Sequence, residues 1–306
     1  MENQGIIYKI ENRTDRGVVH HYHRKPEFRL MQKGAKSSDI AQLKNADKRN
    51  LLQVGSDFNS RFTIGMEIEK NQLSRGAVRE YELLCGFERD GSCGYEAVTN
   101  ILPLLPASVW RNKVYDMMHK ASRIIEDANS PSDKRCGGHI SMAVEGMDGW
   151  ELMNLVRKNS GILYAMYRHR LQNPYCRFNI RMQENREDWA GLPVGNSNKY
   201  HVCLNKGSVI EFRLPARFQS VKQMMRRYEM MYELIDFSVN NPNGSFKTFL
   251  KKSEPILLAM YNRDQDKVNE IMTLAVSFQK YINTGKVTED IKGWLGFTET
   301  PEGRRY

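Results

Sequence analysis

The stretch Phe62–Glu69, FTIGMEIE, limits the fold more than any other in the chain. Phe62, Ile64, Met66 and Ile68 alternate strictly with Thr63, Gly65, Glu67 and Glu69. A period of two is that of a strand with one apolar and one polar face, and a helix cannot reconcile it. Glu67 and Glu69 then project from the same face, roughly 6–7 Å apart. That separation is too wide for the two carboxylates to share a hydrogen bond, yet it lets each hold its own divalent cation. An isolated Glu-x-Glu is more often the solvated face of an amphipathic strand. Later stretches repeat the pattern with other ligand types, and this shifts the balance.

In RCGGHISMAV (Arg135–Val144), Ile140, Met142 and Val144 share one face and His139, Ser141 and Ala143 the other. Gly137 and Gly138 allow the backbone to approach a neighbour closely. In YHVCLNKGSVIEFRLPAR (Tyr200–Arg217), Lys206-Gly207 predicts a hairpin turn. Tyr200, Val202 and Leu204 alternate with His201, Cys203 and Asn205 before the turn. After it, Ile210, Phe212 and Leu214 alternate with Val209, Glu211 and Arg213, and Pro215 ends the strand. The carboxylate and guanidinium of Glu211 and Arg213 read either as a surface ion pair or as a metal ligand beside a phosphate clamp. Tyr95–Thr99 is a strand with Glu96 as its one acid, preceded by a turn at Asp90-Gly91-Ser92. The segment between FTIGMEIE and Phe87 reads as a turn or short strand.

Helices separate these strands. Ser108 is a candidate N-cap for a helix carrying Val114, Met117, Met118, Ala121, Ile124 and Ile125 at helical spacing. The spacing predicts one long helix over Gly149–Arg170, another over Val221–Asn240 broken by Asn-Pro-Asn-Gly, and further helices near Glu254–Tyr261 and Asp264–Asn283. Residues 1–60 read as a basic extension, with eleven basic against seven acidic side chains and three of the seven histidines in Val18–Leu30. A short helix after Ser38 is expected there.

Composition sets outer limits. At 306 residues with 40% hydrophobic and 27% charged residues, the chain is an ordinary globular protein with a sizeable core. No run reaches the length of a membrane helix and the N-terminus is too polar for a secretory signal, so a cytoplasmic protein with no membrane partner is expected. Five scattered cysteines (Cys85, Cys93, Cys136, Cys176, Cys203) form no Cys-x-x-Cys pair and read as reduced thiols. The formal charge of +10 suits nucleic acid or an anionic small substrate equally.

The expected architecture is α+β: a curved, mainly antiparallel sheet with helices on its apolar face. Its polar face collects Glu67, Glu69, Glu96, His139, Glu211 and Arg213. The order GMEIE, DGSCGYEAV, GGHISM and IEFRLP resembles the amidoligase families of the glutamine synthetase and glutamate–cysteine ligase superfamily, in particular the phage-type COOH–NH2 ligases. The resemblance covers about residues 61–240 as a catalytic core, leaving 241–306 as a helical C-terminal segment packed on it. It implies a glutamine synthetase-like catalytic fold and an ATP-dependent carboxylate–amine ligase working through an acyl phosphate, in the host cytoplasm if phage-encoded. It further implies two Mg2+ or Mn2+ ions held by Glu67, Glu69, Glu96, His139 and Glu211, with Glu67, Glu211 and Arg213 in catalytic roles. Arg213 would contact the transferred phosphoryl group. Val209 stands where glutamine synthetases carry an arginine, so Arg168, Arg170 and Arg177 are candidates for the remaining ATP contacts. Asp90, Ser92 and Asn205 are candidate substrate contacts. The substrates would be a small carboxylate and an amine, the acceptor extending to a peptide or modified nucleobase, with specificity in loops such as Gln183–Asn198. The alternative is a basic nucleic-acid-associated protein that keeps the fold without the chemistry.

Overall fold

The computed structural model describes residues 61–70, 81, 83–90, 94–99, 102–127, 135–144, 146–173, 176, 202–205 and 209–295. The N-terminal extension, the helix expected after Ser38, the turn residues 91–93 and the loop 183–198 lie outside them.

Seven strands form one open antiparallel sheet: β1 (Phe62–Lys70), β2 (Leu84–Asp90), β3 (Gly94–Thr99), β4 (Leu102–Pro103), β5 (Ile140–Val144), β6 (Cys203–Asn205) and β7 (Ile210–Phe212). Their order is β2-β3-β1-β5-β7-β6, with β4 also on β1. β2 begins at the end of the segment read as a turn or short strand and runs on through Asp90, paired with β3. β1 is the hub. Its first half pairs with β5 (Phe62 opposite Val144, Met66 opposite Ile140), and its second half pairs with β3 (Glu67 opposite Val98, Glu69 opposite Glu96). β6 and β7 pair antiparallel, as the hairpin predicts. Every residue of β1 is buried. The polar face is thus covered as well as the apolar one, where alternation alone suggests a half-exposed strand.

The helices are α1 (Val109–Lys120), α2 (Ser122–Ile125), α3 (Gly149–Arg157), α4 (Gly161–Met166), α5 (Val221–Asn240), α6 (Phe246–Met260), α7 (Gln265–Thr284) and α8 (Glu289–Lys292). Ser108 caps α1, its Oγ accepting from Arg111 N at 3.1 Å. The predicted helix over Gly149–Arg170 is broken at residues 158–160, and a 3-10 turn follows at Arg168–Arg170. Asn159, Ser160 and Gly161 are weak helix formers, and here Asn159 and Gly161 have partners on other helices while Ser160 bonds back to its own. Asn159 Nδ2 donates to Ser238 Oγ, Ser160 Oγ to Arg157 O, and Gly161 N to Gln279 Oε1 at 2.9 Å. The break lets α4 lie against α7. By contrast, α6 starts eight residues earlier than the spacing predicts. Ser245 caps it, and Pro255 is accommodated inside the helix.

One core joins the apolar face of the sheet (Ile64, Met66, Ile68, Met142, Phe212) to α3, α5 and the C-terminal helices. Tyr228 on α5 ties this core to the sheet edge: its hydroxyl accepts from Leu105 N at 2.8 Å and donates to Pro103 O. No helix among the described residues is long and apolar enough to cross a membrane.

Candidate metal centre on the polar face of the sheet

Antiparallel register aligns side chains from distant parts of the chain, because residues opposite one another share a face. Glu67 N donates to His139 O at 3.0 Å, so these two residues face each other across β1 and the start of β5. Glu96 sits opposite Glu69. Ser141 lies between Gly65 and Glu211, and Arg213 N donates to Val202 O, extending the β6–β7 ladder by one step.

The result is a buried cluster. Glu67, Glu69, Glu96, His139 and Glu211 are each at most 8% exposed. His139 Nδ1 lies 2.8 Å from Glu67 Oε2, and Nε2 lies 3.2 Å from Glu69 Oε1. Glu69 Oε2 accepts from Gly137 N at 2.6 Å. Glu211 Oε1 accepts from Arg213 Nη1 at 2.8 Å. Burial pulls the Arg213 guanidinium pKa down, but the carboxylates of Glu211, Glu67 and Glu69 together raise it above the usual arginine value. Arg213 is a fixed positive charge.

Glu67, Glu96 and His139 each offer a ligand atom within 4.8 Å of the others. One further observation favours a cation at this point. Ser141 Oγ is buried on the same face and, among the described residues, has no hydrogen-bond partner, a state that costs about 1–3 kcal/mol unless something satisfies it. Carboxylate oxygens with one imidazole suit Mg2+ or, better, Mn2+.

The other sequence candidates fall in different surroundings. Glu69, which meets Gly137 and His139, and Glu211, which meets Arg213, stand beside the three-residue group. Arg168 points away from the sheet. It pairs with Glu270 at 2.7 Å, donates to Ala165 O and stacks over Trp294. Arg170 is buried and donates to Cys136 O at 2.9 Å. Arg177 and Ser92 lie outside the described residues, as do the side chains of Asp90 and Asn205. The strands place Asp90 opposite Gly94 and Asn205 opposite Ile210, whereas Glu211 faces Leu204. Cys136, Cys176 and Cys203 are buried free thiols, and burial pushes Cys203 well above its ordinary pKa, with Glu211 adding to the shift. Ser141 and the Gly137 amide are contributors that the sequence did not single out. Ser141 was legible in the alternation with His139, while a backbone donor carries no residue signature.

Fold and site together define an α+β protein with a buried carboxylate–imidazole–guanidinium cluster on one face of an open antiparallel sheet. The chain matches no protein-family model, and no curated protein matches it.

Proposed function

We propose that the chain is an ATP-dependent carboxylate–amine ligase that requires a divalent cation. The observation that carries this reading is the convergence of Glu67, Glu96 and His139 from three strands, with their ligand atoms within 4.8 Å, beside the Glu211–Arg213 pair. The motif order supports it by resemblance.

A carboxylate is a poor electrophile. Transfer of the γ-phosphoryl group of ATP to it gives an acyl phosphate and ADP, and attack by an amine then gives the amide and phosphate, with one proton released. Glu67, Glu96 and His139 would hold the cation, which neutralises phosphate charge. Arg213, paired with Glu211 Oε1 at 2.8 Å, would set a fixed positive charge beside the phosphoryl oxygens and stay cationic throughout. Burial removes water that would hydrolyse the acyl phosphate and strengthens each charge interaction.

The test is ADP release with Mg2+ or Mn2+ and mixed carboxylates and amines. Turnover should need the amine, and Glu67→Gln should abolish it. Absence of ADP release, with salt-dependent DNA or RNA binding in its place, would transfer the +10 charge to the nucleic-acid reading.

A further inference from the structure

A cavity of about 490 Å³ lies between the first turns of α5, the 3-10 turn and the end of α6, and none of the sheet-cluster residues lines it. Its volume is in the range of small-molecule pockets. Its wall carries Lys222, Arg226, Arg227 and His169 and, among the described residues, no aspartate or glutamate. Glu229 holds Arg226 at 2.5 Å, and Glu126 Oε1 accepts from Val221 N at 3.0 Å at the start of α5, both from outside the wall.

The cationic groups are positioned. Arg227 is 1% exposed, with its guanidinium over the Tyr167 and Phe218 rings and donating to Ala216 O and Arg217 O. Lys222 Nζ is held by Asn262 Oδ1 at 3.0 Å. Asn262 takes a left-handed conformation (φ 54°) just beyond α6, which asparagine tolerates well. The α5 N-terminus, capped by Ser220, adds its dipole on the same side. Tyr261 and Met260 line the rest of the wall and give a planar ring an apolar, polarisable seat.

We propose that this cavity binds a nucleotide-class ligand, its phosphate against Lys222 and Arg226, with the buried charge of Arg227 behind them, and its ring against Tyr261 and Met260. The site is independent of the ligase reading, since none of these residues belongs to the sheet cluster.

The test is calorimetric titration of the full chain with AMP, ribose 5-phosphate and inorganic phosphate in EDTA. AMP should bind one to one and more tightly than either of the others. Lys222→Glu and Arg226→Gln should each weaken AMP at least about tenfold, a loss of roughly 1.4 kcal/mol, with unchanged circular dichroism. Tyr261→Ala should weaken AMP more than phosphate. Glu67→Gln should bind AMP as the native protein does. The proposal falls if neither AMP nor phosphate binds up to about 10 mM, a ceiling near −3 kcal/mol. It also falls if AMP and phosphate bind equally, if both charge variants bind like the native chain, or if Glu67→Gln abolishes binding.

Discussion

Glu67 and His139, 72 residues apart in the chain, stand opposite each other across β1 and β5, joined by a backbone bond of 3.0 Å and a side-chain contact of 2.8 Å. The strand ladder sets this contact, so the donor geometry persists when one carboxylate is made neutral. Glu67→Gln, Glu96→Gln and His139→Ala are each expected to weaken Mn2+ binding by about 10- to 100-fold, the size usual for loss of an ordering or ligating group. The native chain should melt higher with saturating Mn2+, by the equivalent of about 3 kcal/mol at a hundredfold excess over Kd. Electron paramagnetic resonance and thermal melting read the two effects. Equal Mn2+ affinity in all three variants would remove the metal centre.

The strands of this site were legible because alternation fixes which residues share a face. FTIGMEIE and GGHISMAV each gave their polar set correctly, and the glycine pair announced a close approach: a Cβ on Gly137 would lie 2.7 Å from His139 Nε2. Pairing partners were not legible. Nothing local says that Glu69 faces Glu96 or that Gly65, Ser141 and Glu211 form a row, since register comes from the packing of whole strands. The helix break at residues 158–160 was equally hidden. Its cause is Gln279, more than a hundred residues downstream, drawing Gly161 against α7.

Glu211 is 0% exposed and Arg213 mostly buried, and the two are paired at 2.8 Å. Removing one member of such a pair leaves a desolvated charge and costs about 3–5 kcal/mol. Glu211→Ala is therefore expected to destabilise the protein by that order, whereas Glu67→Gln changes stability little. Urea unfolding of the two variants makes the comparison. Equal midpoints would mean that Arg213 finds another partner.

Two glycines should fail in different ways. At Gly161 a Cβ would meet Ala275 O at 2.6 Å and Gln279 N at 2.8 Å, both backbone atoms, so Gly161→Ala must push α4 off α7. Overpacking of this kind costs about 1–3 kcal/mol. At Gly137 the obstacles are the His139 ring and Glu69 Oε1, which are side-chain atoms that can move. Gly137→Ala should lose Mn2+ affinity with less loss of stability. If melting and metal titration ranked the two variants the same way, the contrast between backbone and side-chain obstacles would be wrong.

Lys70 ends β1 with its ammonium fully buried, donating to Phe218 O at 3.1 Å and Asp127 O at 3.4 Å. Burial lowers its pKa to about 8, against an opposing pull from Asp127. The unfolded chain keeps this proton up to the ordinary lysine value of 10.5. Between these limits the unfolded state binds more protons, so stability rises with pH. Four tyrosines act in the opposite sense: burial raises Tyr232 and Tyr261 to about 12 and carries Tyr115 and Tyr228 higher still. Above about pH 10 the unfolded chain loses tyrosine protons that the folded one keeps, and stability falls. Lys70 alone lifts stability by about 2 kcal/mol from pH 8 to pH 10, but the four tyrosines offset most of that as pH nears 10, so the native profile rises only slightly and turns over below pH 10. In Lys70→Met the climb should vanish while the decline above pH 10 remains. Urea unfolding of both proteins across pH 7–11 measures this, and a stability difference between the native chain and Lys70→Met that stays constant from pH 8 to pH 10 would mean that the Lys70 ammonium is as well solvated in the folded protein as in water.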